Sequence, residues 1–231
     1  MTTAADIITL ALKDIGVLDA HETPDANMMK DALTTLNQML AQWQVSSNYI
    51  YAQTDVTFNP SGAVSYTIGT GGVINTTAPS KVDYAFYRIN NIDYPIDVLG
   101  SFEEYQAISL KDIGTGAYPE CIYYNPSYPL GTIYIYPTPS TGVIHLIVPT
   151  QLPNYTAAAN ALTLPSEYEL VIRFSLDEIL AAMFGTQLRA DIQQLAIKSR
   201  RQMKLNNFRM SPVKTPFTGD GLSNYGLMLK G

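Results

Sequence analysis

The sequence predicts an α+β fold: an antiparallel α-helical bundle of two N-terminal and two C-terminal helices, with an inserted Tyr-rich antiparallel β region and an extended C-terminal arm. Three observations lead there. Apolar residues recur at helical spacing at both ends of the chain, they alternate at strand spacing in the middle, and regular patterning stops near residue 207. The implied division is residues 1–48 and 160–206 for the bundle, 49–159 for the β region and 207–231 for the arm.

The clearest helix is residues 23–44. Thr23 suits an N-cap, Pro24 the first helical position, and Asp25 the positive end of the helix dipole. Met29, Ala32, Leu33, Leu36, Met39, Leu40 and Trp43 then recur at steps of three and four, with polar residues between them, so one face must be buried. Residues 3–16 read as a preceding helix, with Thr3 as cap, Ile7, Ile8, Leu10, Ala11, Leu12 and Ile15 as its apolar face and Gly16 as its stop. The short link 17–22 makes the two an αα-hairpin.

From about Tyr49 the period becomes strand-like. Residues 54–58 and 64–68 flank Asn59-Pro60-Ser61-Gly62 and read as a hairpin, and residues 84–89 and 92–96 repeat the pattern around Asn90-Asn91. Ser101 and Glu104 form a capping box that opens a short helix through Ile108. Residues 120–124, 132–136 and 143–148 complete the set of strands. Residues 49–159 hold 14 of the 16 tyrosines, and no charged residue lies between Glu120 and Glu167. These tyrosines either line a sheet core or form a surface that another protein covers.

Helix returns after Leu164-Pro165, with a capping box from Ser166 and Glu169, and stops at Gly185. Apolar residues cover most of its circumference, leaving Glu169, Arg173 and Asp177 as a charged stripe. Such a helix belongs at the centre of a bundle. The last helix, residues 187–206, is amphipathic and basic. The remaining residues hold Pro212, Pro216, Gly219, Gly221 and Gly226 and cannot form a regular element, yet they are apolar enough to read either as anchors that order on a partner or as a loose end.

Composition excludes several classes. With 46% apolar and 15% charged residues, a chain of 231 residues forms a globular core. The single cysteine, Cys121, excludes an internal disulfide framework and fits a reducing compartment, and no apolar run is long enough to span a bilayer. Charge is uneven: residues 1–170 carry 5 Lys and Arg against 16 Asp and Glu, residues 171–231 carry 9 against 4. A basic end on an acidic body implies an acidic partner for that end, protein or nucleic acid.

Catalytic signals are sparse. His21 sits in a turn, His145 alternates in a strand, and two histidines with one cysteine cannot form the usual zinc set, so no metal or cofactor is expected. Cys121 and His145 on neighbouring strands would be a dyad without an orienting third group. Glu103, Glu104 and Glu120 are the candidates for glycan cleavage, although a helix N-terminus already accounts for the first two. Arg189, Lys198, Arg200, Arg201, Lys204, Arg209 and Lys214 form a basic stretch able to contact phosphates, with no base-reading motif beside it.

The runs Asp6-Ile-Ile-Thr-Leu-Ala-Leu-Lys-Asp-Ile-Gly16-Val and Asp31-Ala-Leu-Thr-Thr-Leu-Asn-Gln-Met-Leu-Ala-Gln-Trp43, followed in order by Pro119-Glu-Cys-Ile-Tyr-Tyr, Gly131-Thr-Ile-Tyr-Ile-Tyr-Pro-Thr-Pro139 and Leu164-Pro-Ser-Glu-Tyr168, resemble the head-to-tail adaptor family of tailed bacteriophages. These are the tail accessory, or packaged-DNA stabilisation, proteins of short-tailed phages. The resemblance covers most of the chain to about residue 207. It implies a virion protein at the head-tail junction, assembled in the host cytoplasm as a twelve-fold ring that docks on the portal protein after packaging. The ring would seal the DNA channel and receive the tail nozzle, hub or next tail component, with packaged DNA passing through without sequence-specific contact and no membrane involved. In such adaptors the C-terminal extension reaches into the portal, a role this carries onto Phe208, Met210, Phe217, Tyr225, Leu227, Met228 and Leu229. Some relatives are described as cell-wall hydrolases, but no motif transfers such a site here. The alternatives from other classes are a peptidoglycan-cleaving virion enzyme and a nucleic-acid-binding module using the basic last helix.

Overall fold

The computed structural model describes residues 2–45, 52–109, 111 and 118–207. Helices α1 (Ala4–Asp14) and α2 (Ala26–Val45) come first, then strands β1 (Gln53–Phe58), β2 (Ser65–Ile68), β3 (Tyr84–Ile89) and β4 (Ile92–Val98). A short helix α3 (Phe102–Gln106), strands β5 (Cys121–Asn125), β6 (Gly131–Tyr136) and β7 (Val143–Pro149), and helices α4 (Ser166–Phe184) and α5 (Ala190–Asn207) complete the order.

The architecture corrects the predicted one. It is a mixed α+β fold in which a seven-stranded sheet, curled into a half-barrel, stands beside five helices; it is not a helical bundle with a small inserted β region. The sheet has its own core, built from Ile68, Ile122, Ile133, Ile135, Ile144 and Leu146, all fully buried. A body of that size is stabilised from within, each such side chain contributing about 1.5–3 kcal/mol relative to exposure. Nor is the sheet wholly antiparallel. Strand order is β1-β7-β3-β4-β5-β6-β2, and β4 pairs with β5 in parallel, Asp97 beside Cys121 and Val98 beside Ile122, because α3 and its flanks supply the crossover that parallel neighbours require.

The hairpin predicted around Asn59 to Gly62 does not form. Strand β1 pairs with β7 and β2 with β6, so the two occupy opposite edges of the sheet. The turn residues carry the chain across the open side of the curl: the Tyr66 hydroxyl accepts from the backbone N–H groups of Ser61 and Ala63 at 2.8 and 3.0 Å, and the Phe58 and Tyr66 rings lie 5.0 Å apart. The Asn90-Asn91 hairpin does form. Both residues take positive φ, 51° and 63°, as a two-residue hairpin turn matching strand twist requires, and Ile89 pairs with Ile92.

In the helical layer α4 packs on α1, α2 and α5, and Ile8, Leu12, Leu36, Leu40, Ile172, Leu176, Leu180 and Met203 share one core. Thr3 caps α1 in a capping box with Asp6. Helix α2 starts later than predicted: Asp25 rather than Thr23 caps it, its carboxylate accepting from the Met28 N–H at 2.8 Å. The box predicted at Ser166 and Glu169 is absent, since Pro165 holds the cap position and Glu169 instead accepts from the Thr2 hydroxyl at 3.1 Å. Ser101 does cap α3, accepting from the Glu104 N–H at 3.3 Å. The strands enter and leave side by side, with Thr150 N–H donating to the Ala52 carbonyl at 3.0 Å, and Asn37 of α2 clasps the backbone of Tyr155 through both its side-chain atoms, each at 2.9 Å.

Candidate interaction surfaces

Helix α5 buries Ile192, Ala196 and Met203, a spacing of four and seven that fixes which side faces α4. Its other sides carry the cations. Lys198, Arg201 and Lys204 are exposed. Arg200 turns inward instead, where it pairs with both Glu178 carboxylate oxygens and reaches the Ser175 hydroxyl at 3.4 Å. Arg189, just before the helix, pairs with Asp191. The fold thus presents three of these cations outward, pins Arg200 to α4, and pairs Arg189 locally; Arg209 lies outside the described residues. Two apolar side chains, Ile197 and Leu205, stand 54% and 65% exposed among the cations, and they border a shallow depression with Arg201 and Lys204. A surface that combines apolar area with basic tips suits an acidic partner.

A second concavity, of about 450 Å³, lies where the start of α4 meets the end of α5, with Leu170 and Met203 among its lining residues. The anchor candidates Phe208, Met210, Phe217, Tyr225, Leu227, Met228 and Leu229 lie outside the described residues.

Strand alternation sorts the sheet's side chains. Phe86 of β3 sits opposite His145 of β7, and their rings stack at 4.4 Å. His145 is buried, and its Nδ1 donates to the Asp55 carboxylate at 2.8 Å. On the other side of Phe86 the Arg88 guanidinium lies 5.2 Å from the ring centroid and pairs with Asp93 at 2.5 and 2.7 Å. This row of ring and ion contacts holds His145 as part of the sheet. The predicted proximity of Cys121 to His145 is corrected: two strands, β3 and β4, stand between β5 and β7, a backbone separation of about 14 Å. Burial raises the Cys121 thiol pKa above its ordinary value, the reverse of what a nucleophile needs.

The tyrosines divide between the two readings. Tyr66, Tyr87, Tyr105 and Tyr124 are buried, whereas Tyr84, Tyr118 and Tyr128 are exposed. Phe102 and Tyr105 of α3 lie against Tyr123 and Tyr134, with ring centroids 5.1 to 5.8 Å apart across the helix-sheet contacts. Glu103 and Glu104 are at the surface on α3, where Glu104 accepts from the Gly100 N–H at 3.0 Å, and Glu120 is exposed before β5. Among the described residues no group of three or more His, Cys, Asp or Glu side chains is placed to hold a metal ion, and no helix is long and apolar enough to cross a membrane.

One charged group departs from its sequence expectation. Asp177, which the spacing puts in a charged stripe, is fully buried, and neither carboxylate oxygen accepts a hydrogen bond. Burial, reinforced by the nearby Asp14 carboxylate, pushes its pKa up to about 8. The sequence held the signal: Leu176, Leu180 and Ala181 surround Asp177 at helical spacing, so the stripe narrows to nothing there.

A family model described as SU10 adaptor protein matches residues 2–216. No curated protein matches the chain significantly.

Proposed function

Because the chain belongs to the SU10 adaptor protein family, a family of structural phage proteins, we propose that it is the head-to-tail adaptor of its virion, closing as a twelve-fold ring on the portal protein, sealing the DNA channel and receiving the next tail component. The match across residues 2–216 carries this reading, since it takes in all five helices and the whole sheet rather than one motif. The action is mechanical, and no bond is made or broken. The helical layer, with α4 at its centre, forms the ring. The arm supplies Phe208, Met210, Phe217, Tyr225, Leu227, Met228 and Leu229 to the portal as apolar and aromatic anchors; on this reading residues 1–48 with 160–206 make the ring, 49–159 are the β region, and 207–231 are the anchor.

Lys198, Arg201 and Lys204 favour one further contact, with the phosphates of packaged DNA in the channel. Such contact is independent of sequence and weakens with salt. Electron microscopy of portal rings mixed with the protein tests the whole reading: added ring density beneath the portal supports it, and bare portals at saturating protein contradict it.

A further inference from the structure

The concavity between α4 and α5 has a floor and a wall of different character. Tyr168, Val171 and Met203 are buried and form the floor, whereas Leu170 stands 52% exposed at its side. At the mouth Asn207, the last described residue, donates from its side-chain nitrogen to the Tyr168 hydroxyl at 2.7 Å. The chain therefore leaves α5 at the mouth of an apolar groove, with 24 residues still to come. The first of them are Phe208, Arg209 and Met210. Glu167, on the groove's rim, offers Arg209 a counter-charge. The family match also continues past α5 to residue 216, so the first nine residues of the arm share the family's sequence pattern, while 217–231 lie beyond it.

We propose that this groove is the seat of the root of the chain's own C-terminal arm, with Phe208 and Met210 covering Leu170, Val171 and Met203 and Arg209 facing Glu167. The reach is sufficient. The groove runs along residues 199–207 of α5, about 12 Å of helix, and the ten residues 208–217 span roughly 33 Å when extended, so the chain can turn at Ser211-Pro212 and still lie along it. Seating the root fixes the direction in which Tyr225, Leu227, Met228 and Leu229 leave the body. Apolar side chains held there also lower the ordering cost of the distal arm when it binds. The seat rests on the groove and on the nearness of the arm, and only the use of the distal residues rests on the adaptor reading.

Hydrogen exchange on the free full-length protein, without portal, tests the seat separately from portal binding. Amides of residues 200–206 are followed in wild type, in Phe208→Ser/Met210→Ser, and in Leu170→Asp, whose exposed side chain makes the substitution compatible with folding. Each variant is expected to speed their exchange at least ten-fold while the sheet amides stay unchanged, and combining the two variants is expected to add little, because both break the same contact. Unchanged exchange at residues 200–206 in both variants overturns the proposal. Protection that grows with protein concentration also overturns it, since the groove then holds the arm of a second copy.

Discussion

Arg173 grips Asp14 through two hydrogen bonds, Nε to Oδ2 at 2.6 Å and Nη2 to Oδ1 at 2.7 Å, and so ties α4 to α1. The same guanidinium lies close enough to the buried Asp177 to favour its ionisation, while Asp14 opposes it. One cation and two neighbouring carboxyl groups thus form a single charged cluster where α1 meets α4.

Replacing that cation leaves the Asp14 carboxylate without its partner, beside the buried carboxyl of Asp177. Arg173→Met is expected to lower unfolding stability by about 1.5 kcal/mol, less than the loss of one partner from a fully buried pair, because the Arg173 and Asp14 side chains keep 29% and 20% exposure. Urea unfolding of the variant beside wild type measures it, and a loss below about 0.5 kcal/mol contradicts a structural role for the pair.

Asp177 makes stability depend on pH. Its ordinary pKa is 3.8 and in the fold it rises to about 8, so between these values the folded chain keeps a proton that the unfolded chain releases. The unfolded state binds fewer protons there, and stability falls as pH rises from about 4 to about 8, with a limiting slope of about 1.4 kcal/mol per pH unit, levelling off above. Asp177→Asn resembles the protonated form and is expected to flatten this slope and to gain most at pH 8. Parallel stability curves for the variant and wild type across that window contradict the assignment.

Gly142 and Gly16 separate packing from backbone strain. Both hold positive φ, 73° and 74°, but a Cβ on Gly142 would lie 2.6 Å from the Tyr87 ring, while one on Gly16 meets nothing within 4 Å. Gly16→Ala is expected to cost about 1 kcal/mol, the penalty of left-handed backbone alone, and Gly142→Ala about 3 kcal/mol, the added part coming from overpacking. Tyr87 cannot swing away freely, because its hydroxyl donates to the Thr141 carbonyl at 2.9 Å. Equal losses in the two variants would show that the ring yields.

Deleting residues 208–231 is expected to leave the helical and sheet cores folded, since among the described residues the two cores are built within 4–203, and to abolish portal binding. Circular dichroism reports the first outcome and co-sedimentation with portal the second. Binding of unchanged affinity by the shortened chain removes the arm from the mechanism.

How far the sequence carried the fold follows from what periodicity encodes. Alternation in residues 84–96 and the pair Asn90-Asn91 specified a hairpin because the turn itself demands positive φ at both residues. Asn59 to Gly62 also looked like turn chemistry, yet a turn signal says only that the chain bends; which strand is then met depends on the curl of the whole sheet, seen in the Phe58 and Tyr66 contact. Spacing likewise placed the apolar face of α2 but not its first residue, because Thr23 and Asp25 are both good caps and only Asp25 reaches the Met28 N–H. Among the candidate site residues, Lys198, Arg201 and Lys204 are exposed, whereas Arg200 differs for a tertiary reason: Glu178 one helix away attracts it, and no pattern within α5 records that.

Native mass spectrometry of the purified protein, alone and mixed with the portal of the same virus, tests the adaptor reading most directly. A discrete complex of twelve copies on one portal ring is expected, forming in the mixture and requiring residues 208–231. Unchanged masses for both components at micromolar concentration and physiological salt would contradict it.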